Sequence, residues 1–329
     1  MFGVPVSFSR DIIVRFPAIL GGVLLTIGLS ASAWGQFKGA DEEGPKLGES
    51  QTLQWQAGVI VTARSGPCRG MVATAPIPID WPEQETRIVE EDFCPQAKVS
   101  YRTVEGTVKQ MVVQLPFLSA GAQCQAVVTV EVTRHAQLRP ENTDVFVLPD
   151  KRKLPRDVRP CLGPSPEIES TSSRIKKVAE QFDMDEGKAW DQVEAIYDWV
   201  RESVEHQQTH QGGALAALEK GNGDHEDLTS LFIAICRASG VPARTVWVPQ
   251  HCYPEFYLED EEGEGHWLPC QAAGVRAFGE MPDHRPILEK GDNFRSQINR
   301  RERKRFLPET LQGKGGSPGV RFVRKLVSP

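Results

Sequence analysis

The stretch 221–271 decides the fold: GNGDHEDLTSLFIAICRASGVPARTVWVPQHCYPEFYLEDEEGEGHWLPCQ. Apolar residues recur at helical spacing over 228–236, so one face of a helix is apolar. Asp224 holds the N-cap position and Asp227 follows three residues later, an acidic form of the capping box. Gly240, with a proline two residues on, ends the helix. The stretch therefore predicts a turn that leads directly into a capped helix.

Three strands are predicted after this helix. The run 245–248 is short, apolar and β-branched, His251 opens a second strand, and 266–271 forms a third. The acidic, glycine-containing run 259–265 has the length of a hairpin loop. We therefore expect a helix packed beside a small antiparallel sheet.

These residues resemble the transglutaminase-like superfamily, which has a papain-like fold. In that family a Gly-Asp-Cys turn enters the helix, and Arg-Ala-x-Gly-Ile-Pro-Ala-Arg ends it. A His then opens the next strand, and a Trp-x-Pro-x-Asp strand follows. The counterparts here are Gly223-Asp224-His225, Leu231-Phe232, the run 237–244 (RASGVPAR), the run 251–255 (HCYPE) and the run 267–271 (WLPCQ). The resemblance spans residues 190–275.

The resemblance implies a Cys nucleophile, a His base and an Asp that orients the His. By position these are His225, His251 and Gln271, so only the base keeps its residue type. Gln271 can still accept the N–H proton of an imidazole through its amide oxygen. Imidazole, in contrast, attacks amides poorly, and the acyl-imidazole it forms is labile. His225 is therefore interpreted either as a vestigial, hydrogen-bonded turn residue or as a binding residue.

We consequently expect an exported transglutaminase-like protein that is catalytically degenerate and binds a peptide or protein in the inherited cleft. The alternative is an active thiol peptidase or protein-glutamine acyltransferase that uses another Cys, or a metal-assisted hydrolase. For a metal, His225 and His251 supply two ligands and Glu255 a third, whereas His266 lies on the other face of the hairpin. The first hypothesis requires neither a cofactor nor a metal.

The composition and the N-terminal sequence give predictions about partners and localisation. The 329 residues carry a formal net charge of −6, so no basic field favours a nucleic-acid partner. Arg10 and Arg15, the apolar run 18–29 and Ala31-Ser32-Ala33 predict a signal peptide and an extracytoplasmic protein. An uncleaved membrane anchor is the alternative. The oligomeric state is not predicted.

The predicted fold class is α+β, with an N-terminal β-sandwich-like domain before the transglutaminase-like, papain-like α/β domain. Alternating β-branched residues over 125–133 favour the sandwich, and clustered prolines favour a linker. The basic cluster 300–305 is interpreted as a solvated helix face or terminus, or as a contact with an anionic envelope polymer. The predicted segments are a signal peptide (1–33), a flexible leader (34–50), a β-sandwich-like domain (51–150), a Pro-rich linker (151–166), the transglutaminase-like domain (167–295) and a basic, Gly-rich C-terminal tail (296–329).

Seven cysteines are present without a C-x-x-C pair, so a structural zinc site is not expected. If His251 stands opposite Gln271 in the hairpin, Cys252 stands opposite Cys270. A disulfide between these two cysteines is then feasible, and two buried free thiols are the alternative.

Overall fold

The computed structural model describes residues 44–182, 184, 187–299 and 301–327. The chain divides into the units Met1–Asp41 and Glu42–Pro329, and only the second contains described residues. The predicted signal peptide and most of the predicted leader therefore lie outside the described residues.

Within the described ranges, no helix combines the length and the hydrophobicity needed to cross a bilayer.

Six strands form the first part of the described chain, where the sequence predicts a β-sandwich-like domain. In the sixth strand, Ala126, Val128, Val130 and Val132 are all buried, as the alternating pattern predicts. The strands are β1 (Lys46–Ala63), β2 (Cys68–Ile77), β3 (Gln84–Phe93), β4 (Lys98–Val104), β5 (Val108–Leu118) and β6 (Gln123–Leu138).

The second part alternates helices with strands. A short 3-10 helix, Arg159–Leu162, lies in the predicted linker. The helices are α1 (Ser173–Ala179), α2 (Ala189–Ser203), α3 (Ala214–Lys220) and α4 (His225–Ser239). The strands are β7 (Glu205–His206), β8 (Asn222–Gly223), β9 (Ala243–Val248), β10 (His251–Glu259), β11 (Gly265–Pro269), β12 (Glu289–Lys290), β13 (Phe294–Arg295), β14 (Arg303–Lys304), β15 (Thr310–Gly315) and β16 (Pro318–Val327).

Two antiparallel sheets organise these strands. One has the order β16-β1-β6-β3, and the other has the order β11-β10-β9-β12-β5-β2-β15, with β4 paired to β5. The short strand β12 joins the halves of the larger sheet, because Glu289 pairs with Trp247 of β9 and with Val108 of β5. The mixed α and β fold class is confirmed, and one sheet contains strands from both predicted domains.

Helix α4 lies in the core between the other helices and the larger sheet. Leu231, Phe232 and Ile235 have no exposed surface, in agreement with the apolar spacing of the sequence. The core also contains an aromatic cluster in which the ring of Phe278 lies 5.1 Å from Trp190 and 5.0 Å from Phe256. A second core fills the space between the strands of the sandwich.

The segment 296–329, predicted as a tail, contains the strands β14, β15 and β16. Strand β16 pairs with β1, and β15 pairs with β2. Gly313 of this Gly-rich segment allows close packing, because a Cβ at this position would lie 2.6 Å from Cγ of Met71. Because these pairings join residues more than 200 positions apart, local sequence patterns did not reveal them.

The described part of the basic cluster, 301–305, is neither a helix nor uniformly solvated. Arg303 and Lys304 form β14, while Arg305 is only 7% exposed. The guanidinium of Arg305 donates to Glu226 at 3.0 Å and to Ser230 at 3.0 Å, both on α4. This segment is therefore anchored to the start of α4, and its buried arginine is neutralised by protein carboxylates.

The predicted alignment of Cys252 with Cys270 is wrong. In the hairpin, Glu255 pairs with Pro269 and Leu258 with His266, which shifts the register by two residues. Glu259 pairs with Gly265, so the loop is 260–264 rather than the predicted 259–265, and within it the Asp260 side chain accepts a hydrogen bond from the Glu264 backbone N–H at 2.8 Å. Both cysteines are buried free thiols, the alternative that the sequence left open.

The disulfide that does form joins Cys94 to Cys124, with Cα atoms 5.5 Å apart. Cys94 follows β3 and Cys124 lies in β6, so the bond links neighbouring strands of the four-stranded sheet.

Candidate functional site

The N-terminus of α4 is fixed by the predicted capping box. Asp224 accepts hydrogen bonds from the backbone N–H of Glu226 at 2.9 Å and of Asp227 at 3.0 Å. Asp227 in turn accepts from the backbone N–H of Asp224 at 3.1 Å. His225 is consequently the first residue of the helix.

Asp227 also anchors the loop that precedes α3. Its fully buried carboxylate accepts backbone N–H donors from Gln211 at 2.6 Å, Gly212 at 3.1 Å and Gly213 at 2.7 Å. Asp224 and Asp227 at the start of α4 therefore do more than complement the helix dipole, which favours acidic residues at any helix N-terminus. Asp227 also fixes the loop before α3 through these hydrogen bonds.

His210, Asp224 and Asp227 form the one cluster in the described part of the chain with three ligand atoms close enough for a metal ion, all within 4.8 Å. The carboxylates are already engaged by the backbone donors of the cap and the loop. Burial disfavours the charged form of His210, but the hydrogen bond to Asp224 and the charge of Asp227 outweigh it and raise the pKa of His210. The cluster is therefore interpreted as part of the N-terminal cap of α4, in which His210 offsets the negative charge of the two carboxylates.

The three residues at the positions implied by the resemblance lie together. The ring centroids of His225 and His251 are 4.7 Å apart, with the ring planes tilted by 40°. Nε2 of His251 lies 3.0 Å from the amide oxygen of Gln271. Because this oxygen only accepts, Nε2 carries the proton and Nδ1 keeps a lone pair.

Both imidazoles are held in the neutral form. Burial is the main cause that lowers the pKa of His225, and Asp224 only partly opposes it. Burial also lowers the pKa of His251, against the hydrogen bond that His251 donates to Gln271 and with added repulsion from His225. The positive end of the α4 dipole acts in the same direction on His225.

The nearby cysteine thiols are buried and have raised pKa values, whereas an activated thiol nucleophile is accessible and has a lowered pKa. Cys236, Cys252 and Cys270 are at most 1% exposed, and burial raises the pKa of each thiol. Cys252 follows His251 in sequence, but it pairs with Trp247 across the sheet and its thiol bonds to Thr229.

A cleft of about 750 Å³ opens beside the imidazole pair. His225 and His251 form part of its wall, and Trp247 and Phe306 supply aromatic surface with ring centroids 5.0 Å apart. Trp55 of β1, Glu289 of β12 and the C-terminal runs 306–309 and 324–326 also line it.

The sequence predicted the imidazole pair, but it did not predict that the C-terminal runs 306–309 and 324–326 form part of the cleft wall. The one local sequence feature that indicated this part of the wall was Phe306, an aromatic residue directly after the basic cluster.

The further metal ligands considered from sequence are engaged elsewhere. Glu255 is fully buried, and its oxygens accept from Arg244 at 2.8 Å and from Lys290 at 2.6 Å. His266 bonds to Asp260 at 2.7 Å. Glu255 is therefore not available as a third metal ligand beside His225 and His251. The side-chain partner of His251 is instead Gln271.

Residues 176–272 match the family model of the transglutaminase-like superfamily. No curated protein matches the chain. A candidate cysteine protease from Cytophaga hutchinsonii has a similar structure, with 18% sequence identity and a TM-score of 0.55 over 85% of this chain and 92% of that chain. This similarity extends the shared fold to most of both molecules.

Two more distant structures were also found. The periplasmic domain of TgpA from Pseudomonas aeruginosa, bound to ethylmercury, has 10% identity and a TM-score of 0.33 over 68% of this chain and 90% of that chain. A candidate protease from Parabacteroides distasonis ATCC 8503 has 11% identity and a TM-score of 0.27 over 68% of this chain and 47% of that chain. On the family match and the first structure, residues 176–272 form a transglutaminase-like domain of papain-like architecture.

Proposed function

We propose that this chain is an exported transglutaminase-like protein that lacks thiol chemistry and binds a peptide or protein in the cleft beside His225 and His251. The observation that carries the proposal is the 4.7 Å approach of two neutral imidazoles where the family resemblance implies a thiol and its base. Acyl transfer in such a site needs an activated nucleophile, and a neutral imidazole is a poor one toward amides. Hydrogen bonding to a bound peptide needs no such activation.

The state of the cysteines argues against a relocated thiol nucleophile. A reactive cysteine needs partial exposure and an electropositive setting that stabilises the thiolate. Cys252 and Cys270 have neither, because both are buried and burial raises their pKa values. Burial also raises the pKa of Cys161, to about 11.

Peptide binding is supported by the size and chemistry of the cleft. Its volume of about 750 Å³ lies within the usual range for ligand sites. Trp247 and Phe306 provide apolar contact surface, and the two imidazoles provide hydrogen-bonding groups beside it. A partly apolar cleft with a few polar groups suits a peptide better than a highly charged polymer.

Export is supported by the predicted signal peptide and by the Cys94–Cys124 disulfide. Disulfides persist in oxidising compartments and are rare in the cytosol. We therefore place the mature protein outside the cytoplasm, with a peptide or protein as its partner.

The test combines activity and binding. Purified protein is incubated with a fluorescent amine donor and glutamine-bearing casein, and in parallel with casein as a cleavage substrate. We expect neither transamidation nor cleavage, and saturable binding of casein-derived peptides. Phe306→Ala should weaken binding, whereas Phe117→Ala should not, since both rings are 43% exposed but only Phe306 lines the cleft. Wild-type turnover that is abolished by alkylating a cysteine would overturn the proposal.

A further inference from the structure

Glu289 is a buried acid in the cleft without a cationic partner. It lies on β12, lines the cleft and is 2% exposed. Its Oε2 accepts the backbone N–H of Leu307 at 2.9 Å, and Oε1 accepts no hydrogen bond from any described residue. Buried carboxyl groups are ordinarily paired with a cation or several donors. An acceptor atom therefore remains free inside the cleft.

Most of the other charged groups that line the cleft are already paired with an opposite charge. Arg285 donates to Asp283 at 2.8 Å, and Arg324 pairs with Glu309 at 3.1 Å. Glu226 accepts from Arg305 at 3.0 Å. Lys325 is exposed, at the rim. Among the described lining residues, Glu289 is the buried charge-bearing group that lacks a counter-ion.

The surroundings of Glu289 include aromatic rings that favour a cation. Trp247 is its direct neighbour across the sheet, and Phe306 lies 5.0 Å from the Trp247 ring. The Trp247 ring already has the Arg305 guanidinium at 5.3 Å. Aromatic faces attract cations through their quadrupoles, and Phe306, which is 43% exposed, is the aromatic residue of this wall with free surface for a ligand cation.

We propose that Glu289 forms a subsite for the ammonium group of a lysine side chain in a peptide bound in the cleft. The inference rests on the proposed peptide-binding function and gives its ligand a chemical class. Because Leu307 occupies one carboxylate oxygen, Glu289 offers a single acceptor. A compact ammonium needs only one, whereas a guanidinium is recognised best by two coplanar oxygens.

The sheet fixes where the lysine lies relative to the imidazole pair. Trp247 pairs with Glu289 on one side and with Cys252, the residue after His251, on the other. Two strand spacings separate β12 from β10, about 10 Å, or about three residues of an extended peptide. The lysine is therefore within about three positions of the residue that contacts His225 and His251.

The test uses blocked heptapeptides that differ only in the central residue: lysine, Nε-acetyl-lysine, norleucine or arginine. Binding to the full chain is measured by NMR titration at about pH 8.5, where lysine, with a pKa of ~10.4, stays charged and Glu289, whose pKa burial raises to about 8, is mainly ionised. Glu289→Gln keeps the shape and removes the charge. Glu261→Gln, on the exposed hairpin loop, is the matched control, and thermal melts report folding of both variants.

We expect the wild type and Glu261→Gln to bind the lysine peptide about tenfold tighter than the norleucine and acetyl-lysine peptides. We also expect the lysine peptide to bind more tightly than the arginine peptide, and folded Glu289→Gln to bind all four equally. Equal wild-type binding of the lysine, acetyl-lysine and norleucine peptides would refute the subsite and leave peptide binding intact. Binding of none of the peptides would instead refute the proposed function. The acetyl-lysine comparison needs no variant, so it decides the question even if Glu289→Gln fails to fold.

Discussion

At the scale of the residue, one imidazole at the first turn of α4 sets the chemistry of the site. The helix N-terminus favours negative charge, so it stabilises a thiolate and disfavours an imidazolium. Burial acts in the same direction and lowers the pKa of His225. The same position that would activate a cysteine thus keeps His225 neutral.

This reasoning predicts the behaviour of His225→Cys. The new thiol would lie at a helix N-terminus beside His251, an arrangement that lowers a Cys pKa well below its free value of ~8.5. A thiol-specific alkylating probe at mildly acidic pH should label position 225 much faster than any wild-type cysteine, as read by peptide mass spectrometry. His225→Cys with His251→Ala is the control and should react more slowly. Equal labelling rates for the variant and the wild-type cysteines would contradict the assigned geometry.

Glu289 gives a second residue-level prediction, about stability and pH. Burial raises its pKa from 4.5 to about 8, so the folded protein binds this proton more tightly than the unfolded chain. The stabilising effect is complete below the unfolded pKa and is lost as the pH rises through the folded value, by about 1.4 kcal/mol per pKa unit. The free energy of unfolding of the wild type should therefore fall from about pH 5 to pH 9.

In Glu289→Gln this fall should be smaller by a few kcal/mol, as measured by urea denaturation across that pH range. Glu261→Gln should follow the wild-type curve. Parallel curves for Glu289→Gln and the wild type would show that Glu289 does not carry a raised pKa.

At the scale of the element, local signals made α4 predictable. Its cap, its apolar spacing and its stop at Gly240 all lie within the quoted stretch, and the structure has each of them. The β10–β11 register was not predictable, because the contacts of Asp260 in the loop, rather than the strand pattern, set its length. The partners of β12, β15 and β16 depend on distant residues, which no local pattern encodes.

The strand pair β3 and β6 carries the third prediction. The Cys94–Cys124 bond closes a segment with a sequence separation of 30, and removing it should lower the free energy of unfolding by roughly 3–4 kcal/mol. Urea denaturation of Cys94→Ala/Cys124→Ala measures this loss. Reducing the wild type should lower its stability similarly, and Cys161→Ser, a free cysteine, should leave it nearly unchanged. A double variant as stable as the wild type would mean that the bond contributes no stability.

At the scale of the whole molecule, the cleft exists because distant parts of the chain meet. His225 comes from α4, Trp55 from β1, and Phe306 and the run 324–326 from the C-terminal segment. The family resemblance covers only the first of these, so the sequence located the imidazole pair and not the opposite wall. The lining of the cleft therefore depends on parts of the chain beyond the transglutaminase-like domain, and the proposed ligand would contact them.

Deleting residues 318–329 is the fourth prediction. The deletion removes β16, so β1 loses one of its two partners and becomes an unpaired edge. We expect lost cooperative unfolding or aggregation, measured by circular dichroism and size-exclusion chromatography. The control lacks only residues 328–329, keeps β16 whole and should behave like the wild type. A monomeric, cooperatively folded 1–317 chain would contradict the structural role given to β16.

The pairing of β1 with β16 also affects how the protein is made. The ribosome releases β1 long before β16, so the four-stranded sheet stays incomplete until the final segment of the chain has emerged. Under the export proposed above, transport through a narrow channel would require an unfolded polypeptide, and late closure of the sheet would preserve that state during synthesis. Strand β16, which contributes to the wall of the cleft, therefore completes both the four-stranded sheet and this wall only after the other strands of the sheet have been synthesised.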